Sequence, residues 1–193
     1  MNFADKIIYD LIPENSKVLD LGCGDGSLLS NLKNKNCLIQ GIEINEDLVK
    51  SCIKNGIPVV QDDIDEGFEA YKDKSFDFVI LNYTLQATYE PLFVMEKAIR
   101  VGEKVIVSFP NFAHISIRAQ LFFTGKMPKN KDLPYEWYNT PNIHLVSILD
   151  FTNFCKNNNF QIERKFFYND KRLLADFCPN LFSPYGLFVI KEQ

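Results

Sequence analysis

Several features that mark other protein classes are missing from this sequence of 193 residues. No apolar run approaches the roughly 20 residues that span a bilayer, and Met1–Lys6 lacks the basic and apolar regions of a signal peptide. We therefore predict a cytoplasmic protein without a membrane anchor. A formal net charge of −4 provides no broad basic field, which argues against nucleic acid as a partner.

Cysteine and histidine do not occur in patterns that would hold a metal. The five cysteines include no Cys-x-x-Cys pair, and the only two histidines, His114 and His144, do not have the spacing of metal ligands. The sequence therefore predicts neither a disulfide framework nor a metal site. We expect the cysteines to be small packed residues.

What is present is a regular alternation of short apolar runs with longer, polar-faced stretches between residues 17 and 109. This pattern is typical of βα units in an α/β fold with a doubly wound, mostly parallel sheet. Two later β-rich runs predict an antiparallel pair that completes a seven-stranded sheet. Predicted strands are 17–21, 38–42, 58–61, 76–81, 104–109, 161–168 and 185–191, and predicted helices are 3–12, 27–33, 46–55, 66–71, 91–101 and 146–156.

The length suits a single domain covering residues 1–193, since domains commonly contain about 50 to 250 residues. Residues 109–144 follow the fifth predicted strand and interrupt the strand–helix alternation. We interpret this segment as an insertion that forms a lid or binds a partner.

The first predicted strand runs into a glycine-rich loop that precedes a helix. Its spacing is Gly-x-Gly-x-Gly, whereas a dinucleotide site needs Gly-x-Gly-x-x-Gly and a P-loop ends in Gly-Lys-Ser/Thr. An acid precedes the first glycine, and an anion there suits a ligand with an ammonium group, such as S-adenosylmethionine (SAM) or S-adenosylhomocysteine (SAH). The cofactor-binding residues predicted here are Asp20, Gly22, Cys23, Gly24 and Gly26.

Further candidates follow successive strands, where open α/β sheets bind their ligands. Glu43 is predicted to accept hydrogen bonds from ribose hydroxyls, with Ile44 beside it in the same turn. Asp63 and Ile64 are predicted to contact the adenine, and Asn82 follows the fourth strand. Each residue has an ordinary structural alternative as a cap, a turn residue or a solvated strand end. Together the four elements predict a SAM or SAH pocket.

Candidate catalytic groups lie in the inserted segment. They are His114, Tyr138 and His144, and the titration range of histidine suits a general base. A hydrogen-bonded structural role for both histidines is the open alternative. Methyl transfer needs a base only when the acceptor loses a proton, so the sequence does not decide whether the protein is an enzyme.

Other residues of the insertion suit contact with a partner. The aromatic run Tyr135–Tyr138 suits an acceptor site or a protein interface, and the apolar helix predicted over 115–123 suits a lid or a homodimer surface. The lysines Lys126, Lys129 and Lys131 form a solvated face or meet an acidic partner surface.

The chain resembles the MetW family of methionine biosynthesis over most of its length. Residues 18–26 match SAM methyltransferases at large, and residues 80–87 add to the likeness. The family-specific segments are Val107-Ser-Phe-Pro-Asn-Phe-Ala-His114 and Leu133-Pro-Tyr-Glu-Trp-Tyr-Asn-Thr-Pro-Asn-Ile-His144. Asn82 and Ala113 stand where family members often carry serine and glycine. The resemblance implies a SAM-methyltransferase-like fold and a partner, homoserine O-acyltransferase of the MetX type.

Two functions stay open at this point. The first is a SAM-binding accessory partner or regulator of homoserine O-acyltransferase, which the resemblance favours. The second is a genuine SAM-dependent methyltransferase acting on a small molecule, which the complete set of pocket residues favours. An NAD-dependent oxidoreductase is excluded by the glycine spacing.

Overall fold

Strands and helices alternate along the chain, and the computed structural model describes them over residues 1–130 and 133–193. The strands are β1 (Lys17–Leu21), β2 (Leu38–Glu43), β3 (Val59–Gln61), β4 (Phe76–Asn82), β5 (Gly102–Pro110), β6 (Phe160–Tyr168) and β7 (Tyr185–Glu192). The helices are α1 (Phe3–Leu11), α2 (Ser27–Lys33), α3 (Glu46–Lys54), α4 (Pro91–Val101), α5 (Ile115–Thr124), α6 (Ile148–Asn157) and the single turn α7 (Pro179–Phe182).

The strands form one seven-stranded sheet in the order β3-β2-β1-β4-β5-β7-β6. β1 to β5 are parallel, and β7 runs antiparallel to both β5 and β6. This arrangement confirms the predicted doubly wound, mostly parallel sheet with an antiparallel end. The direction of winding changes between β1 and β4, which places a crevice at the carboxyl ends of these strands.

Successive residues of the central strands face opposite layers of helices. Leu19 joins the cluster formed with α4 and α6, whereas Val18 joins the cluster formed with α1, α2 and α3. Both side chains are fully buried, as are Ile80 and Ile106 on neighbouring strands. Full burial of each such aliphatic side chain contributes about 1.5–3 kcal/mol. The sheet is therefore a rigid platform for the loops at its carboxyl edge.

Capping residues mark the start of α3 and of α6 and the end of α3. The Asn45 side chain accepts from the backbone N–H groups at the start of α3, and Ser147 accepts in the same way at α6. Gly56 follows α3 with a φ of +66°. Gly102, which follows α4, instead has an extended φ of −109° and begins β5.

The predicted short helix over 66–71 is wrong, since this segment forms turns. Gly67 adopts a φ of +89°, which breaks the run of helical residues. Asp65 just before it accepts from the backbone N–H groups of Tyr89 and Glu90 at the start of α4. These hydrogen bonds fix the start of the segment to the start of α4, and this tertiary contact overrides the local helix propensity.

Most of the inserted segment lies on the surface. None of the residues of α5 is buried, although the helix contains Ile115, Leu121, Phe122 and Phe123. No helix within the described residues is long and apolar enough to cross a membrane.

Candidate cofactor-binding site

The glycine loop connects β1 to α2 and is tied to the neighbouring strand. The N–H groups of Gly22 and Cys23 both donate to the carbonyl oxygen of Ile42, over 2.8 and 3.0 Å. Gly22 and Gly24 have φ values of +73° and +59°, which favour glycine. No atom outside the loop's own neighbours lies within 4 Å of the position that a Cβ of Gly24 would take. The backbone is therefore open to a ligand at Gly24.

Glu43 ends β2 and crosses to the glycine loop. Its Oε2 accepts from the Gly24 N–H and its Oε1 accepts from the Asn45 N–H, each over 2.9 Å. The residue is 7% exposed, so its carboxylate is held in one place. Because each carboxylate oxygen has more than one acceptor position, both oxygens retain capacity for a ligand's hydroxyl groups.

A cleft of about 470 Å³ opens beside these residues. Its volume lies within the range of pockets that bind small molecules. The cleft is lined by residues predicted from the sequence and by residues that follow β3 and β4. Pro141 of the insertion also lines it. The lining includes Gly22, Glu43, Ile44, Asp63, Ile64, Tyr83, Thr84 and Pro141.

Asp20 lies beneath the glycine loop and does not line the cleft. It is 2% exposed, and its Oδ1 has no hydrogen-bond partner. Burial raises the pKa of Asp20 to about 8, with smaller contributions from the negative charges of Asp5 and Glu43. These effects disfavour the charged form of Asp20, and a nearby cation would favour it.

Asn82 also lies behind the cleft. Its Nδ2 donates to Asp5 Oδ1 over 2.9 Å, and its Oδ1 accepts from the Ser108 hydroxyl over 2.6 Å. This residue joins α1, β4 and β5 just below the site. Sequence reasoning missed Asp5, because an acid three residues after Asn2 reads as part of a helix capping box, which it also is.

The three candidate catalytic residues lie away from the cleft. The His114 Nδ1 bonds to the Ser116 hydroxyl over 2.7 Å at the start of α5, and Tyr138 is 70% exposed beside Trp137. The Nε2 of His144 is buried without a hydrogen-bond partner, and this residue lines a separate cavity of about 450 Å³ with Leu85. None of the three lines this cleft.

Two of the three lysines named from the sequence are described. Lys129 forms an ion pair with Glu136 over 2.6 Å. This pair connects the loop after α5 to the aromatic run Tyr135–Tyr138. Lys126 and Lys129 line a surface cavity of about 700 Å³ with Tyr135 and Trp137. Lys131 lies outside the described residues.

Residues 3–190 match the family described as methionine biosynthesis protein MetW. The chain belongs to the MetW family. A relative within the bifunctional methionine biosynthesis protein MetXA/MetW of Rhodopirellula baltica is 32% identical over 94% of this chain and 31% of that protein. A probable mRNA-capping enzyme of Acanthamoeba polyphaga mimivirus is 30% identical over 87% of this chain and 12% of that protein. This member of the family thus spans less than a third of either relative.

Solved structures show the fold of this MetW-family chain. A SAM-dependent methyltransferase of Thermotoga maritima, described as a possible histamine N-methyltransferase, aligns with a TM-score of 0.70 at 16% identity over 98% of this chain and 87% of that one. A SAM-dependent methyltransferase of Archaeoglobus fulgidus aligns with a TM-score of 0.66 at 18% identity over 98% and 90%. The fold is therefore that of the class I SAM-dependent methyltransferases.

Proposed function

We propose that the cleft binds SAM and SAH. Three observations support the fit: the unpaired buried oxygen of Asp20, the open backbone at Gly24 and the anchored carboxylate of Glu43. The solved methyltransferases with the same fold are named for their dependence on SAM.

Each residue would hold a different part of the ligand. Glu43 would accept from the ribose hydroxyls and Asp63 from the adenine amino group. Asp20, which lies beneath the glycine loop, would attract the ammonium group through its charge once ionised. Ile44, which is 62% exposed at the rim, offers an apolar surface that a nucleoside would cover. When bound, SAM supplies a methyl group on a sulfonium.

We further propose that the protein acts in the cytoplasm as an accessory partner or regulator of homoserine O-acyltransferase. The observation that carries this proposal is the relative named MetXA/MetW, in which a segment 32% identical to this chain belongs to a longer bifunctional protein. Linking two modules raises their effective concentration, which is useful when they act on each other. As separate chains the two would need a binding surface.

The insertion exposes large aromatic side chains that could form such a binding surface. Phe122 and Phe123 at the end of α5 are 82% and 81% exposed, and Trp137 and Tyr138 are 72% and 70% exposed. Exposed aromatic groups of this size favour protein interfaces, where they become anchors. We propose that these four side chains, called here the aromatic surface, contact the acyltransferase.

The complex can be tested by size-exclusion chromatography of the purified chain with homoserine O-acyltransferase, together with the rate of acyl transfer. We expect co-elution and a changed rate. Replacing Phe122 and Phe123 with serine should abolish both effects, whereas Ile53→Ser, at a 64% exposed position on α3, should preserve them. Separate elution of the unaltered proteins with an unchanged acyl-transfer rate would contradict the partner role.

SAM is formed from methionine, so a SAM-binding partner could adjust homoserine activation to the supply of its end product. This regulation requires that SAM bind the free chain and the complex with different affinities. The same chromatography and rate assays with and without SAM test it. Unchanged complex affinity and unchanged acyl transfer would exclude feedback.

A genuine methyltransferase is the second candidate, and Tyr83 favours it. This residue has a φ of +58°, a conformation that costs about 1–3 kcal/mol and clusters at functional sites. It lines the cofactor cleft and also a neighbouring pocket of about 350 Å³ with Phe3, Tyr168 and Tyr185. An acceptor there would lie beside the cofactor. Incubation with methyl-labelled SAM and a metabolite extract tests this function, and a labelled small molecule would support it.

A further inference from the structure

The part of the insertion that carries Trp137 and Tyr138 has few fixed points, since residues 134–143 are all exposed or half-buried. Within it, Glu136 and Asn139 close a turn. The Asn139 N–H donates to the Glu136 carbonyl over 3.2 Å, and the Glu136 N–H donates to Asn139 Oδ1 over 3.0 Å. Trp137 and Tyr138 form the tip of this turn, called here the aromatic turn. Because its hydrogen bonds are internal, its position is set by the residues that flank it.

The fixed point that follows the aromatic turn is the backbone carbonyl of Gln86. This residue lies in the short 3₁₀ helix Leu85–Ala87 after β4. The N–H groups of Ile143 and His144 both donate to its carbonyl oxygen, each over 2.9 Å. Gln86 is 3% exposed, and its Nε2 donates to the Tyr83 carbonyl over 2.6 Å. Two hydrogen bonds to a buried residue, itself fixed by its side chain, hold the insertion at this place.

This fixed point adjoins the cofactor cleft. Thr84 and Ala87, on either side of Gln86 in the chain, line the cleft, and Pro141 lines it from the insertion. Pro141 is exposed, so a ligand in the cleft would cover part of its ring. Only Thr140 separates Pro141 from the aromatic turn. A ligand contact at Pro141 therefore lies one residue away from that turn.

We propose that Pro141 contacts the bound cofactor, that Gln86 is the positioning residue that holds Pro141 at the cleft, and that cofactor binding thereby fixes the aromatic turn. This inference rests on the proposed binding of SAM and SAH. A ligand that touches Pro141 binds best when Pro141 lies at the cleft, so binding increases the population of that conformation. The aromatic turn supplies two of the four side chains of the aromatic surface. Its position thus couples the cofactor to the surface proposed to contact the acyltransferase.

Trp137 is the single tryptophan of the sequence, so tryptophan fluorescence reports directly on the aromatic turn. The test is titration of the purified protein with SAH, followed by fluorescence and, on the same sample, by calorimetry. We expect a change in Trp137 emission that saturates with the dissociation constant measured by calorimetry. Binding by calorimetry without a change in emission would overturn the inference and leave the cofactor site intact. No binding by calorimetry would overturn the proposed cofactor function and, with it, this inference.

Pro141→Gly removes the ring at the cleft and loosens the backbone there. We expect SAH to bind this variant about fourfold more weakly, which corresponds to roughly one CH₂ group left uncovered, and to leave Trp137 emission unchanged at saturation. Pro134→Gly is the matched control, because Pro134 is an exposed proline before the aromatic turn and does not line the cleft. It should bind SAH and change its emission like the wild type. The full wild-type emission change in Pro141→Gly would exclude Pro141 from the coupling.

Gln86 is tested by Gln86→Met, which keeps the length of the side chain and removes the amide that donates to Tyr83. We expect SAH still to bind, with a smaller emission change at saturation, because the carbonyl that holds Ile143 and His144 loses its fixed orientation. Gln161→Met, at an exposed position on β6, should respond like the wild type. A Gln86→Met protein with the full emission change would show that Gln86 does not position Pro141.

Discussion

Replacing Asp20 with asparagine removes a carboxyl group that the fold buries almost completely. In the folded protein Asp20 keeps its proton up to about pH 8, whereas its usual pKa is 3.8. Between these values the folded state binds more protons than the unfolded state, so the contribution of Asp20 to stability falls as pH rises. Asparagine does not titrate and should not show this loss.

The size of the effect follows from the two pKa values. From pH 5 to pH 8 the wild type should lose about 3–4 kcal/mol of unfolding free energy relative to Asp20→Asn. For a chain of this length that difference corresponds to roughly 10 °C in melting temperature. Comparing each protein at two pH values cancels any fixed cost of placing the new amide.

Thermal or urea unfolding of the ligand-free proteins at pH 5 and pH 8 measures this difference. The exposed replacement Asp10→Asn is the matched control and should follow the wild-type pH dependence. Parallel curves for the wild type and Asp20→Asn would refute the reasoning, because they would mean that Asp20 ionises normally in the fold. Asp20→Asn should also bind SAH more weakly.

Three further outcomes are expected. Gly24→Ala and Gly125→Ala each place a methyl group in open space, at φ values of +59° and +63°. Both variants should lose about 1–2 kcal/mol of unfolding free energy, because a left-handed conformation disfavours a Cβ. Only Gly24→Ala should weaken SAH binding in calorimetry. Binding equally weakened by both would show that the loop is not the site. Gly41→Ala puts a Cβ 2.5 Å from the Cys23 sulfur and should destabilise the protein by about 1–3 kcal/mol in urea unfolding, and an unchanged midpoint would contradict this packing. In the native protein a thiol reagent should react quickly with Cys178 alone, because this cysteine is exposed. Burial raises the pKa of the other four thiols, those of Cys23, Cys37, Cys52 and Cys155. Fast reaction of all five cysteines would contradict that burial.

The sheet could be predicted from the sequence because strands buried on both faces are nearly continuous apolar runs. Lys17–Leu21 and Tyr185 onwards are recognisable for this reason, and the caps Asn45 and Ser147 mark their helices. The helix predicted over 66–71 does not form, because the conformation of this segment depends on contacts with the start of α4, more than 20 residues later in the chain. Local patterns do not contain such contacts.

The cleft was also predictable in part. Glycine spacing and acids at strand ends name residues that the structure brings to one edge, including Gly22, Glu43 and Asp63. The position of Asp20 beneath the loop, and the contribution of Asp5 from a helix 15 residues earlier, depend on how α1 packs. The roles of the aromatic surface depend on a partner, which a single sequence does not contain.

Binding of SAH to the purified protein is the most direct test of the account. Calorimetric titration should show one SAH site in the wild type and at least a tenfold weaker affinity in Glu43→Ala. The reason is that the variant lacks the carboxylate that would accept hydrogen bonds from the ribose. Glu46→Ala, which removes an exposed acid from the first turn of α3, should bind like the wild type. No heat of binding in the wild type, or equal affinity for the wild type and Glu43→Ala, would contradict the assignment of the cleft.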